Sequence, residues 1–345
     1  MPSDKKTTIS GVAARSGVSK TTVSRYLNGK YDNISIATRQ RIKAVIDELD
    51  YSPNRTAQRL KASRTMLVGC VIGDISSPFS AVLLKGIMGA CEAAGYQVLF
   101  ADCNDDPEKE RMAIKSLVAN RVDGLIVNTS GGNEELFLDL KAQGIPVVLA
   151  DRGLVSCKEI DSVTAQNRKA AYDCVKLLKD YGYERVGFFT EGNKQITPRI
   201  LRYAGYCDAM RDLFPGVPVE QYVFDKTDEE SCRRQIEAFR FAHPGERIAI
   251  LTVNGVTTQR VMLSLNTLGY GFSSFFGLCG FDDWSWLQLH PSGVTSVSMP
   301  TKKLGEDSAK LLIERMTGSR GEDAPPVQIE LPSVITVRGS TIKED

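Results

Sequence analysis

Six side chains able to hydrogen-bond DNA fall within seven positions near the start of the chain: Ser19, Lys20, Thr21, Thr22, Ser24 and Arg25. The hydroxyls can donate to or accept from base edges, and the two cations can bind phosphate or guanine. A second concentration of chemistry is acidic. Asp282 and Asp283 are adjacent carboxylates that suggest an acid–base pair. Neighbours on a strand point to opposite faces, and no partner nucleophile accompanies them. The chain has no G-x-S-x-G and no G-x-x-x-x-G-K-[S/T]. Gly269-Tyr-Gly271 lacks the rest of a dinucleotide fingerprint. Its eight cysteines are scattered without a C-x-x-C, and its two histidines, His243 and His290, lie near no cysteine pair. The cysteines read as reduced packing residues, with no zinc site. No catalytic residue, metal or cofactor is expected.

The hydroxyl-rich stretch needs two short helices to present it. Ala13 is small enough for a helix crossing. Gly17 suits a turn of positive φ, and Ser19 can cap the second helix. Val12, Val18, Val23 and Leu27 supply apolar contacts. This is the pattern of a helix-turn-helix, with Lys20, Thr21, Ser24 and Arg25 on the outward face. Ser35 opens a third helix whose stripe is Ile42, Val45, Ile46 and Leu49. Residues 1–62 carry twelve Lys and Arg against five acids, a net +7, while the whole chain is only +1. One end alone is therefore suited to phosphate.

Tyr51-Ser-Pro-Asn-Arg-Thr-Ala-Gln-Arg-Leu60 follows. Val18, Ser19, Thr22, Val23, Ser24, Arg25, Leu27 and Asn28, together with Pro53, Asn54, Ala57 and Leu60, resemble the lactose/galactose repressor family of bacterial regulators. The resemblance implies a hinge helix over Asn54–Leu60 that enters the minor groove beside its partner's, with Leu60 as a wedge in the central base step. Two turns of helix are too short to be stable alone, so the segment is expected to order on DNA. Asn28, Asn54, Ala57 and Leu60 join the DNA-contacting set.

From Met66 short apolar runs alternate with amphipathic stretches, which reads as buried parallel strands in doubly wound sheets. The chain is too long for one core. The expected fold is a small all-α head at 1–50, a linker with hinge helix at 51–64, and a two-lobed α/β effector domain at 65–340. That domain is similar to type I periplasmic sugar-binding proteins. Its N-lobe is expected at about 65–162 and 294–325, and its C-lobe at 163–293 and 326–340. The three crossings fall near Ser162, Gly293 and Pro325, with one strand over Val327–Val337.

Ligands of such sheets bind beyond the carboxyl ends of the strands. There the chain has Asp74-Ile-Ser-Ser-Pro-Phe79, Asp151-Arg152, Asn254-Gly255 and Gly280-Phe-Asp-Asp283, with a helix beginning Arg199-Ile-Leu-Arg202. The resemblance implies effector contacts from Ser77, Phe79, Asp151, Arg152, Arg199, Arg202, Asn254 and Asp282, while Asn167 reads as a helix cap. Gly255 stands where the family commonly has an acid, and Met299 where several relatives have a polar contact. Lys194, Arg152, Arg199 and Arg202 can surround one pocket with cations, and arginine binds carboxylates bidentately. This points to an anionic sugar acid. The rival is a neutral sugar held by Asp151 and Asp282, with the arginines paired to protein acids.

An exported solute-binding protein would need an export signal and no basic head; the N-terminus has no apolar core and no run is of membrane-spanning length. The reading is a cytoplasmic, ligand-responsive transcriptional regulator, a repressor of carbohydrate or sugar-acid genes acting on double-stranded DNA. It acts as a homodimer on a pseudo-palindromic operator, since no leucine heptads follow the last strand. Corepression, including by a phosphoprotein, stays open as the alternative to induction.

Overall fold

The computed structural model describes residues 8–27, 29–51, 64–154, 157–192, 196–225, 227–271, 276–321 and 324–342. The chain forms two compact units, Met1–Thr65 and Met66–Asp345. Asn28, Pro53, Asn54, Ala57, Leu60 and Lys194 lie outside the described residues.

In the first unit, α1 (Ile9–Ser16), α2 (Lys20–Leu27) and α3 (Ile36–Glu48) each begin on a hydroxyl. Thr8 Oγ1 accepts from the Gly11 N–H at 3.3 Å, Ser19 Oγ from Thr22 at 3.1 Å and Ser35 Oγ from Thr38 at 3.2 Å. These bonds satisfy donors that a helix start leaves unpaired. Gly17, at φ 63°, closes α1 in the left-handed conformation. Val12, Ala13, Val23, Ile42 and Val45 form the core, and an Arg15–Glu48 ion pair ties α1 to α3.

The second unit contains two six-stranded sheets. The first comprises β1 (Leu67–Ile72), β2 (Gln97–Asp102), β3 (Gly124–Val127), β4 (Val147–Asp151), β5 (Asp161–Ala165) and β11 (Gln328–Leu331). Its order is β11-β5-β4-β3-β1-β2, all parallel. Between and beside these strands run α4 (Pro78–Ala93), α5 (Pro107–Ala119), α6 (Glu134–Ala142) and α11 (Thr301–Thr317). The second sheet comprises β6 (Arg185–Glu191), β7 (Glu220–Phe224), β8 (Ile248–Thr252), β9 (Phe276–Phe281), β10 (Thr295–Ser298) and β12 (Val334–Thr336). Its order is β12-β10-β9-β8-β6-β7, with only β12 antiparallel. Its helices are α7 (Asn167–Asp180), α8 (Thr197–Leu213), α9 (Glu229–Ala242) and α10 (Gly255–Thr267).

The lobe boundaries differ from those expected. β5 pairs with β4 and β11, so the first crossing follows Ala165 rather than Ser162. The sequence pattern puts β10 in the N-lobe, yet Val297 pairs with Phe281 of β9; the second crossing is at Met299–Pro300, not Gly293. The single strand over 327–337 is two strands, one in each sheet, and the third crossing is at Pro332–Ser333 rather than Pro325. Pro332 has no N–H to give a ladder, which breaks the run there.

Candidate functional site

On the head, Ser19, Lys20, Thr21 and Arg25 are exposed, and Thr22 and Ser24 are half-buried. Ser19 Oγ lies 2.9 Å from the Thr22 hydroxyl, so both residues serve the α2 cap as well as the surface. The loop leading to α3 is fixed by Arg39. Its Nε donates to Ile34 O at 2.8 Å and its Nη2 to Tyr31 O at 3.0 Å, with the guanidinium 4.5 Å above the Tyr31 ring.

In the second unit one cleft gathers all eight residues expected at the effector site: Ser77, Phe79, Asp151, Arg152, Arg199, Arg202, Asn254 and Asp282. Strand ends and helix starts deliver them. Ser77 precedes Pro78 and Phe79 in the first turn of α4. Asp151 ends β4 and Asp282 follows β9, both with φ near +66°, which turns each carboxylate out of its strand. Arg199 and Arg202 lie in the first two turns of α8, and Asn254 caps α10 by accepting from Thr257 N at 2.8 Å.

The arginines are not equivalent. Arg152 Nη1 donates to Asp105 Oδ1 at 2.7 Å and to Thr129 O at 3.3 Å. Arg202 donates to Asn167 Oδ1 at 2.8 Å and to Val253 O at 2.7 Å, and stacks 4.1 Å over Phe281. Asn167 is therefore the first residue of α7 rather than its cap, which falls at Gln166, and its side chain aims Arg202 instead. Burial lowers the Arg202 pKa, while Asp282 and Asp151 hold it up. Arg199 is different: its nearest acid, Glu191, is 3.6 Å away, and its Nη1 is buried without a partner among the described residues.

The two acids are each half used. Asp151 accepts from Asn128 Nδ2 at 3.2 Å, and Asp282 Oδ2 accepts from Gly255 N at 3.0 Å. Their Oδ1 atoms are buried and unbonded. Among the described residues four buried side-chain polar atoms lack a partner, and three of them belong to this cleft: Asp151 Oδ1, Asp282 Oδ1 and Arg199 Nη1. A buried polar atom without a hydrogen bond is costly, so this concentration points to a ligand. Burial raises the Asp151 carboxyl to about 6, against the pull of Arg152 and Arg202.

Asp283, by contrast, is held at both oxygens by Arg338, at 2.7 and 3.1 Å, and forms no acid–base pair with Asp282. Two acids of the cleft, Asp74 and Asp105, and a third that touches its residues, Glu191, are missing from the expected contacts. Asp105 reaches the cleft through a left-handed turn, Asn104–Asp105, in a segment that reads only as a helix start. Asp74 lies within the loop after the first strand, where nothing in the sequence sets it apart from its neighbours. Glu191, at the end of β6, accepts from Asn254 and Thr257, both at 3.3 Å; no motif marks it. No helix among the described residues is long and apolar enough to cross a membrane.

Comparison with known proteins places both units. Residues 8–54 match the model of bacterial regulatory proteins of the lacI family, and residues 65–334 that of periplasmic binding proteins and the sugar binding domain of the LacI family. The HTH-type transcriptional regulator KdgR of Bacillus subtilis is 34% identical, across 97% of this chain and 97% of its own length. A solved complex of the transcriptional regulator CelR with cellobiose is 25% identical with a TM-score of 0.69, covering 97% of this chain and 99% of that one. The Lac repressor dimer bound to operator and the anti-inducer ONPF shares the fold, with a TM-score of 0.85 at 22% identity over 98% of this chain and 100% of that one.

Proposed function

The chain belongs to the LacI family of bacterial regulatory proteins and is a helix-turn-helix transcriptional regulator; from that premise we propose that it represses carbohydrate or sugar-acid genes and is released from its operator by a sugar acid bound in the cleft. The observation that carries this reading is the trio of unpartnered atoms. Arg199 Nη1 offers a buried donor to a carboxylate, and Asp151 Oδ1 and Asp282 Oδ1 offer acceptors to hydroxyls. A polyhydroxy acid satisfies all three. Arg152 is already paired with Asp105 and Arg202 with backbone and Asn167, so the anion is read by Arg199 rather than by a ring of cations.

The neutral-sugar reading draws support from those same pairings, and from the cellobiose complex of CelR. The two readings separate in one titration: fluorescence anisotropy of operator binding at fixed salt, with gluconate-type acids against matched neutral sugars. Release by the acids alone supports the carboxylate reading. Release by neutral sugars alone removes it, and tightening by either indicates corepression. Linkage requires that effector and operator alter each other's affinity by the same factor.

The functional unit is a homodimer on a pseudo-palindrome. Both sheets end in an edge strand with exposed apolar side chains: Leu99 and Phe100 on β2, Val223 on β7. Such edges are normally covered, and a second copy of the chain covers both.

A further inference from the structure

Beside the effector cleft lies a second cavity. Its volume is about 390 Å³, against about 90 Å³ for the space among Asp151, Arg199 and Asp282. Small-ligand sites run to roughly 300–1,000 Å³, so the arginine-lined space alone holds only part of an effector. Phe79 and Asp282 line both cavities, which makes them adjoining compartments of one site.

The second compartment has different chemistry. Trp284, Val82 and Met299 give it an aromatic and aliphatic wall. Lys302 and Lys303 also line it, but each is paired along α11, with Glu306 at 3.2 Å and Asp307 at 2.9 Å. Asp283, on the same lining, is taken up by Arg338. Among the described residues the other charges of this lining are paired within the protein, and Asp282, shared with the first compartment, keeps only an acceptor, Oδ1, without a partner, so the wall suits an uncharged, hydroxyl-bearing group with an apolar face. Trp284 is held for this role. A Cβ on Gly255 would lie 2.7 Å from its ring, and Trp286 packs against it with centroids 5.9 Å apart. The missing side chain at Gly255 is what lets the indole stand there.

We propose that this compartment is a second sugar subsite, in which Trp284 stacks on the C–H face of a neutral pyranose ring joined to the sugar acid that Arg199 holds. The effector class is then a glycosylated sugar acid. The stack supplies apolar contact to the ring face, while the hydroxyls at the ring edge remain free for Ser298, Thr301 and water. This rests on the carboxylate reading of Arg199.

Calorimetric titration of the full chain tests it. The probes are lactobionate, maltobionate and cellobionate, with gluconate as the one-unit acid and lactose, maltose and cellobiose as neutral controls. At least one two-unit acid is expected to bind ten-fold or more tighter than gluconate. Trp284→Ala should abolish that margin while leaving gluconate within two-fold, and Trp284→Phe, which keeps a ring, should retain most of it. The unchanged gluconate affinity guards against a misfolded variant. The subsite is overturned if no two-unit ligand surpasses its one-unit counterpart, or if Trp284→Ala weakens gluconate as much as the two-unit acids. If a neutral disaccharide binds as tightly as its acid, with the same dependence on Trp284, the subsite stands and the carboxylate reading of Arg199 falls.

Discussion

Asp151 and Asp282 occupy matching places in the two lobes: each lies at the carboxyl end of a central strand, each is left-handed, at φ 66° and 67°, and each keeps one carboxylate oxygen bonded and the other buried without a partner. The two backbones store strain, since a non-glycine residue seldom adopts this conformation. In both, the strained turn aims an acceptor into the cleft. An effector bridging the two acids therefore joins the lobes.

Their ionisation gives the first prediction. Burial raises the Asp151 carboxyl to about 6, while an unfolded aspartate titrates near 3.9, as a rough reference. Between those values the folded chain holds a proton that the unfolded chain has lost. Its stability contribution from this group is therefore full at low pH and falls as pH rises through about 6. A bound hydroxyl donating to the ionised carboxylate reverses part of that loss. Effector affinity should thus increase as pH is raised from about 5 to 7, by up to roughly ten-fold. Asp151→Asn should flatten the profile; an unchanged slope in that variant would remove Asp151 from the contact.

Arg199 carries the second. Arg199→Gln removes the only cation of the cleft that keeps an unpartnered buried N–H among the described residues. A hydrogen bond to a charged group is worth about 1.5–3 kcal/mol, so affinity for a sugar acid should fall by roughly 10- to 150-fold. Affinity for the matching neutral sugar should change little. Parallel losses on both ligands, read by calorimetry, would mean that Arg199 supports the fold of the cleft rather than reading the carboxylate.

Gly205 positions both cleft arginines of α8. A Cβ there would lie 2.0 Å from Arg168 O on α7, so the two helices meet with no room for a methyl. Gly205→Ala must push α8 outward, shifting Arg202 one turn earlier along the same helix and loosening its bonds to Asn167 and Val253. Overpacking of this kind costs about 1–3 kcal/mol. A lowered Tm is expected together with a drop in effector affinity, while operator affinity without effector is retained. A drop in Tm with normal effector binding would show that the helices part without moving the arginines.

Legibility in the sequence followed the range of the interactions. The head was readable because its determinants are local: Ser19 and Ser35 bond N–H groups three residues on, and Gly17 supplies its own turn. The eight expected contacts came from the family resemblance together with the rule that ligands sit beyond strand ends, and the fold brings all eight to one cleft. Asp105 and Glu191 were not readable, because their value lies in distant partners, Arg152 and Asn254, that no spacing reveals. The lobe crossings failed for the same reason. Whether β10 belongs to one sheet or the other is settled by its pairing with β9, and its own four residues look the same either way.

The edge strands give a prediction on assembly. Phe100 is 55% exposed on β2, the last strand of its sheet. If a second copy covers this edge, Phe100→Glu places a charge in an apolar contact and should yield monomers in sedimentation analysis, with operator affinity reduced at sub-micromolar protein. A dimer that persists unchanged would place the contact elsewhere.

On the head, Lys20 and Thr21 are exposed at the start of α2, and Arg25 is exposed in its last turn. These positions divide by task. A phosphate contact contributes about one counter-ion to the salt dependence and carries no sequence information, whereas a base contact does the reverse. Substituting Lys20 or Thr21 should change which bases are preferred, at about 1–3 kcal/mol for a lost base contact, with the salt slope nearly constant for Thr21→Ala. If Arg25 grips phosphate, Arg25→Ala should weaken operator and scrambled DNA alike and lower the slope of log K against log salt by about one per subunit. Anisotropy titrations between about 50 and 200 mM salt on both DNAs separate the two cases. A selective loss on the operator for Arg25→Ala, with the slope intact, would instead make Arg25 a base reader and extend the specificity surface along the whole of α2.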